Sequence, residues 1–102
     1  MRDSEVEEAA RRFGLLSDPT RLRILRAVME QGEMPVHAIA AASGASRFNA
    51  SAHLNRLAAG GLVARRRVAT TVYYRLDDDN MPRICEAMCE SLHRRAAAMA
   101  AR

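Results

Sequence analysis

The stretch Met34–Leu62, MPVHAIAAASGASRFNASAHLNRLAAGGL, leaves the backbone few choices. Val36, Ile39 and Ala40 recur at i, i+3, i+4, which sets them on one face of a short helix over Val36–Ser43. Gly44 breaks that helix. Ser46 then offers a hydroxyl to the orphan amides of a new first turn. Ala50, Leu54, Leu57 and Ala58 repeat the helical spacing until Gly60 or Gly61 supplies a left-handed end. Two helices around a short Gly-containing turn predict a helix-turn-helix, whose second helix enters a DNA major groove.

The other face of that second helix carries Arg47, Asn49, Ser51, Ala52, Asn55 and Arg56. Arg bonds two acceptors on guanine, Asn does the same on adenine, and Ser reaches phosphate or base. A solvated helix face carries the same residue types, so the helix pair alone does not decide. Charge does more. From Met34 to Leu76 there is no Asp or Glu, yet there are six arginines: Arg47, Arg56, Arg65, Arg66, Arg67 and Arg75. The rest of the chain holds ten arginines and twelve acids, so the net +4 is a +6 block between flanks that sum to −2. A basic block on one continuous stretch is the footprint of a phosphate-binding face. The chain has no lysine and twenty alanines, a sign of genomic base bias, so Arg in place of Lys carries no meaning.

The 102 residues are read as one domain, 1–102, with a core small enough to make a partner subunit plausible. There is no apolar run long enough for a membrane span, and MRDSEVEEAARRF lacks the apolar core of a secretion signal. The expected location is cytoplasmic, and two cysteines do not make a secreted disulfide framework. Ser4 and Glu7 fit a capping box for a first helix with Val6, Ala9, Ala10 and Phe13 on one face, ended by Gly14. Asp18 and Pro19 open a second, with Leu22, Leu25, Val28 and Met29 lining a core face up to Gly32. Leu62–Arg67 and Thr71–Leu76 are rich in β-formers and predict a hairpin, its turn Val68-Ala-Thr70 lacking the usual Gly or Asn. A hairpin straight after a recognition helix is a wing, and its arginines can follow phosphates or enter the minor groove. Asp77-Asp-Asp79-Asn80 can cap a last helix, where Met81, Ile84, Cys85, Met88, Leu92, Ala96 and Met99 form a long stripe. The expected fold is mainly α with a β-hairpin wing: a winged helix-turn-helix of five helices and two strands. Its first and last helices pair a homodimer through Val6, Phe13, Met81, Ile84, Cys85, Met88 and Leu92, an isologous contact being the commonest assembly.

LSDPTRLRILRAV, SGASRFNASAHLNRLAAGGLVARRR and TVYYRL, in this order and spacing, resemble the ArsR/SmtB family of winged-helix transcriptional repressors over roughly Phe13 to Leu76. The resemblance implies a dimer on double-stranded, palindromic operator DNA, released by an inducer. It also implies that Ser46, Arg47, Asn49, Ser51 and His53 lie in the part of the helix facing DNA, with His53 either in contact or partly buried at the seam. Phe48 stands where the family usually has a small polar residue, and either touches a thymine methyl or tucks into the protein. Metal sites of the family are not supported. Its cysteine motif on the third helix is replaced by VHAIAAAS. On the last helix Asn80 or Met81 stands in place of the early His, and Ser91 and Arg94 in place of the later pair.

Cys85, Cys89 and His93 remain, at i, i+4, i+8 on one side of the last helix. Thiolates with imidazole suit zinc, arsenite or another thiophilic ion, and a twofold partner would add donors. The alternative is that both cysteines only pack in the dimer seam. Two readings from other classes stand beside the regulator: a small metal-binding or redox protein, and a protein-interaction module with an incidental basic face. An enzyme is not expected, since His37, His53 and His93 are scattered and no Gly-rich phosphate loop is present.

Overall fold

Caps and turn residues set the helix ends. Asp18 accepts from the Arg21 amide at 2.9 Å, with Pro19 in the first turn where its missing N–H costs nothing. Ser46 accepts from the Asn49 amide at 3.1 Å. Gly44 takes φ 75°, the left-handed geometry that lets the chain reverse between two helices without a Cβ clash. The computed structural model describes residues 1–101. It holds α1 (Asp3–Leu16), α2 (Pro19–Gln31), β1 (Met34–Pro35), α3 (Val36–Ser43), α4 (Arg47–Ala59), β2 (Val63–Val68), β3 (Thr71–Leu76) and α5 (Met81–Ala100). The strands form an antiparallel sheet in the order β1-β3-β2.

The core lies where α2, α3 and α4 meet the sheet. Ile24, Leu25, Ile39, Ala50, Leu54, Leu57 and Leu62 are fully enclosed, closed over by Met34, Val63, Tyr74 and Met81. The helical spacing of Ala50, Leu54 and Leu57 thus fixes which side of α4 is inward.

Several expectations shift. There are three strands, not two: Met34 pairs with Tyr74 and Pro35 with Tyr73. Two residues are too few to show a period, and Pro35 is tolerated because β1 is an edge strand. The first helix begins at Asp3, and its box is formed by Arg2 and Glu5, whose carboxylate accepts from the Arg2 amide, rather than by Ser4 and Glu7. Gly14 does not stop it; the helix runs to Leu16, and the Ser17 amide and hydroxyl both donate to the Gly14 carbonyl. On α2 the enclosed side is Ile24, Leu25 and Val28, while Leu22 is exposed. Met81 belongs to the core of its own subunit, not to a dimer seam. The hairpin turn is Ala69-Thr70, with Ala69 at φ 55°, a conformation that glycine would adopt more cheaply.

Arg21 joins α1 to this core. It is buried, its Nε donating to the Leu15 carbonyl at 2.7 Å and its Nη2 to Gly14 at 3.4 Å. The Leu15 carbonyl lies in the last turn of α1, where carbonyls have no partner within the helix, so the cation satisfies it and opposes the negative end of the dipole, while Gly14 is already held by Ser17. Close by, Gly60 lets α4 end against Leu15, into which a Cβ would run. Arg21→Ala is expected to lower the unfolding free energy by about 1–3 kcal/mol by stranding the Leu15 carbonyl. Urea denaturation reads it as a fall in midpoint at constant slope, and an unchanged midpoint would remove Arg21 from the α1–α2 joint.

Candidate nucleic-acid interface

With its apolar stripe enclosed, α4 turns the first-turn residues outward. Ser46, Arg47, Phe48 and Asn49 are exposed, Phe48 to 82%, so it does not tuck into the protein. Ser51 is half-buried, and Ala52, Asn55 and Arg56 are exposed farther along. His53 falls toward the α2 side: it is half-buried and its Nδ1 is enclosed without a hydrogen-bond partner. Its neighbour there is Asp18. The Arg21 amide above all, with lesser help from the Arg21 charge, holds the Asp18 carboxyl below its ordinary range. His53 is thus less exposed than the first-turn residues of α4.

The hairpin is tied to α4 by one polar contact. The buried Tyr74 hydroxyl donates to Asn55 Oδ1 at 3.2 Å, so Asn55 braces the wing as well as lying on the exposed face. Strand alternation then divides the wing arginines. Arg65 pairs with Tyr74 and Arg67 with Val72, so both share the side of the sheet that meets α4. Arg66 pairs with Tyr73 on the opposite side, together with Arg75.

Electrostatics follows the same division. Arg66 is held by Glu33 at 3.2 Å and 2.5 Å and sits 5.8 Å over the Tyr73 ring, and this guanidinium pulls the Glu33 carboxyl below its usual range. Arg75 reaches Asp77 at 3.6 Å. Arg67 donates to the Ala69 carbonyl at 3.3 Å. Among the described residues no carboxylate lies within ion-pair distance of Arg47, Arg56, Arg65 or Arg67. Within the acid-free stretch from Met34 to Leu76, the arginines left without an ion pair are thus those of α4 and of the α4-facing side of β2. Glu33, one residue before the acid-free block, was the signal that Arg66 would find a partner.

A second surface lies on the far side. Beyond Cys85 every described residue of α5 is exposed. Phe13 and Leu16 of α1, Leu22 of α2, and Ile84, Cys85, Met88, Cys89 and Leu92 of α5 line an apolar groove of about 380 Å³. Val6 is exposed on α1 but does not line it. Burial, and then the neighbouring Cys89, push the half-buried Cys85 thiol up, away from the thiolate form that binds soft ions. Among the described residues no three His, Cys, Asp or Glu side chains gather to hold a metal, so Cys85, Cys89 and His93 make no such site within one subunit. No helix among them is long and apolar enough to cross a membrane.

A recognition-type helix braced to a hairpin beside uncompensated arginines defines a winged helix-turn-helix of the DNA-binding class. The family model described as a helix-turn-helix domain matches residues 16–66. The HTH-type transcriptional regulator Rv0324 of Mycobacterium tuberculosis is 40% identical over 79 residues, which are 78% of this chain and 34% of that one. The transcriptional repressor SmtB homolog of Synechocystis is 34% identical over 88 residues, 86% of this chain and 66% of its own. The solution structure of the homodimeric winged helix-turn-helix DNA-binding domain Mb0332 from Mycobacterium bovis is 33% identical, with a TM-score of 0.81 over 94% of this chain and 91% of that one. The chain belongs to the ArsR/SmtB family of winged-helix transcriptional regulators. It spans about a third of the length of Rv0324 and two thirds of the Synechocystis regulator.

The two thiols differ enough in setting to be told apart. Cys89 is expected to be alkylated by iodoacetamide at neutral pH faster than Cys85, whose proton is held by burial. Peptide mass spectrometry over a time course orders them, and Cys85 reacting first would contradict the burial seen here.

Proposed function

We propose that this chain is a homodimeric transcriptional repressor that binds a palindromic operator in the cytoplasm and is released by an inducer. It acts as a single winged-helix domain whose terminal helices hold the dimer, and it is not an enzyme. The observation that carries the reading is the exposed start of α4 with Arg47, Phe48 and Asn49, and the hairpin braced to the same helix through Asn55 with Arg65 and Arg67 on its α4-facing side, with no acid among them. In this reading Ser46, Arg47, Phe48, Asn49, Ser51 and Asn55 meet the groove, and Arg56, Arg65 and Arg67 meet phosphates. Arg66 and Arg75 contribute less, because Glu33 and Asp77 already neutralise them. The apolar groove on α1 and α5 supports dimer pairing, as does the homodimeric state of the Mycobacterium bovis domain. Repression is supported by the Synechocystis relative, a transcriptional repressor. Zinc, arsenite or another thiophilic ion would need thiols from both copies, since one subunit gathers too few donors.

Arg47→Ala is expected to cost about 1–3 kcal/mol of operator affinity and to relax selectivity at one base. Arg65→Ala should weaken all duplexes alike and reduce the slope of log affinity against log salt by about one unit. Arg66→Ala should leave that slope nearly unchanged, its charge being spent on Glu33. Fluorescence anisotropy at several salt concentrations reads all three. If Arg47→Ala and Arg65→Ala both bind as wild type does, this is not the DNA-binding face.

Dimer pairing must set the two α4 helices about 34 Å apart to meet successive major grooves. Met88→Glu puts a charge into the apolar groove and should give monomers with weak operator binding. Sedimentation equilibrium decides: a variant that stays dimeric removes α5 from the interface.

A further inference from the structure

We infer that Phe48 and Ala52 form an apolar strip on α4 that reads the 5-methyl groups of thymines. This rests on the DNA-binding reading above and adds the base feature that the helix selects. The exposure of Phe48 follows from its position rather than from loose packing. It stands two residues before Ala50, so it leaves the helix about 200° around the axis from the enclosed side. Ala52 follows at i+4, one turn along the same stripe, and is exposed as well. Its methyl keeps the strip low, so the helix can settle toward a groove floor that a long side chain at this position would hold away.

The surroundings say what covers this strip. Arg47 and Asn49 flank Phe48, both exposed, and no acid occurs between Met34 and Leu76. A second copy of the same face would set Arg47 against Arg47, so self-association there is opposed, whereas a polyanion is attracted. In the major groove the base edges present donors, acceptors and a single apolar feature, the thymine methyl. An aromatic side chain carried into that groove among arginines has that methyl as its apolar partner. One buried methyl-sized group is worth about four-fold in affinity.

The test deletes only the methyl. A duplex selected by the wild-type protein from a random pool is remade with each thymine of a half-site changed to deoxyuridine, one at a time. At one or two positions the wild-type affinity should fall about four-fold. Phe48→Ala, which alters an exposed residue and should melt at the wild-type temperature, is expected to lose a similar factor on the thymine duplex. It should no longer tell thymine from uracil at those positions, while Phe48→Leu should keep part of the difference. Wild-type protein indifferent to every replacement, or Phe48→Ala that still discriminates, would overturn the inference and leave DNA binding intact. Loss of self-association in Phe48→Ala by sedimentation would instead assign the side chain to a protein contact and overturn it too. If the random pool yields no preferred duplex, the DNA-binding reading itself fails.

Discussion

The enclosure of Leu54 and Leu57 against α2 and α3 is the contact on which everything outward depends. Both side chains are fully buried with Ala50, and a helix has only one direction left once such a stripe is committed. Rotating α4 by one residue would expose two leucines, each worth about 1.5–3 kcal/mol of burial, so the outward residues are held in place by the core and not by one another. That arrangement suits a surface which must present several polar groups in fixed register. Gly44 and the Ser46 cap set where the helix starts, and the core sets how it is turned.

The hairpin inherits its position from the same helix. Tyr74 is a core residue whose hydroxyl ends on Asn55, so the wing is packed and hydrogen-bonded to α4 at one point. A buried hydroxyl without that acceptor would carry a desolvation penalty, which makes the contact directional as well as adhesive. From this fixed point the strand period distributes the arginines, sending Arg65 and Arg67 toward the α4 side and Arg66 away from it. The Glu33–Arg66 pair is a partly exposed ion pair backed by an aromatic ring, and its main consequence is to remove one cation from the basic surface.

The two terminal helices obey a different rule. Arg21 anchors the end of α1, and Met81 anchors the start of α5. Past these anchors both helices carry apolar side chains into solvent: Val6 and Phe13 on one, Ile84, Met88 and Leu92 on the other. The molecule is drawn out to 55 × 35 × 21 Å as a result. The exposed stripes on these adjacent helices make one apolar surface, and the groove between them is continuous with the core through Leu16 and Cys85.

Local chemistry was legible in the amino-acid order. The five helices, the Gly44 turn, the Ser46 and Asp18 caps, the inward stripe of α4 and the hairpin all follow from spacing and from residue types with strong backbone preferences. The family could be read from the same motifs. Tertiary structure alone decided what depends on distant partners. Strand β1 exists only because β3 lies beside it, and its two residues carry no period of their own. Met81 and Leu22 have the same apolar character as their stripe neighbours. Whether such a side chain meets the core or solvent depends on where neighbouring helices end, so one was enclosed and the other left exposed. Three consecutive arginines look alike in sequence, yet pairing register and the reach of Glu33 made them unlike in charge. Periodicity fixes direction around an element's own axis, whereas burial and charge compensation are set by what packs across from it.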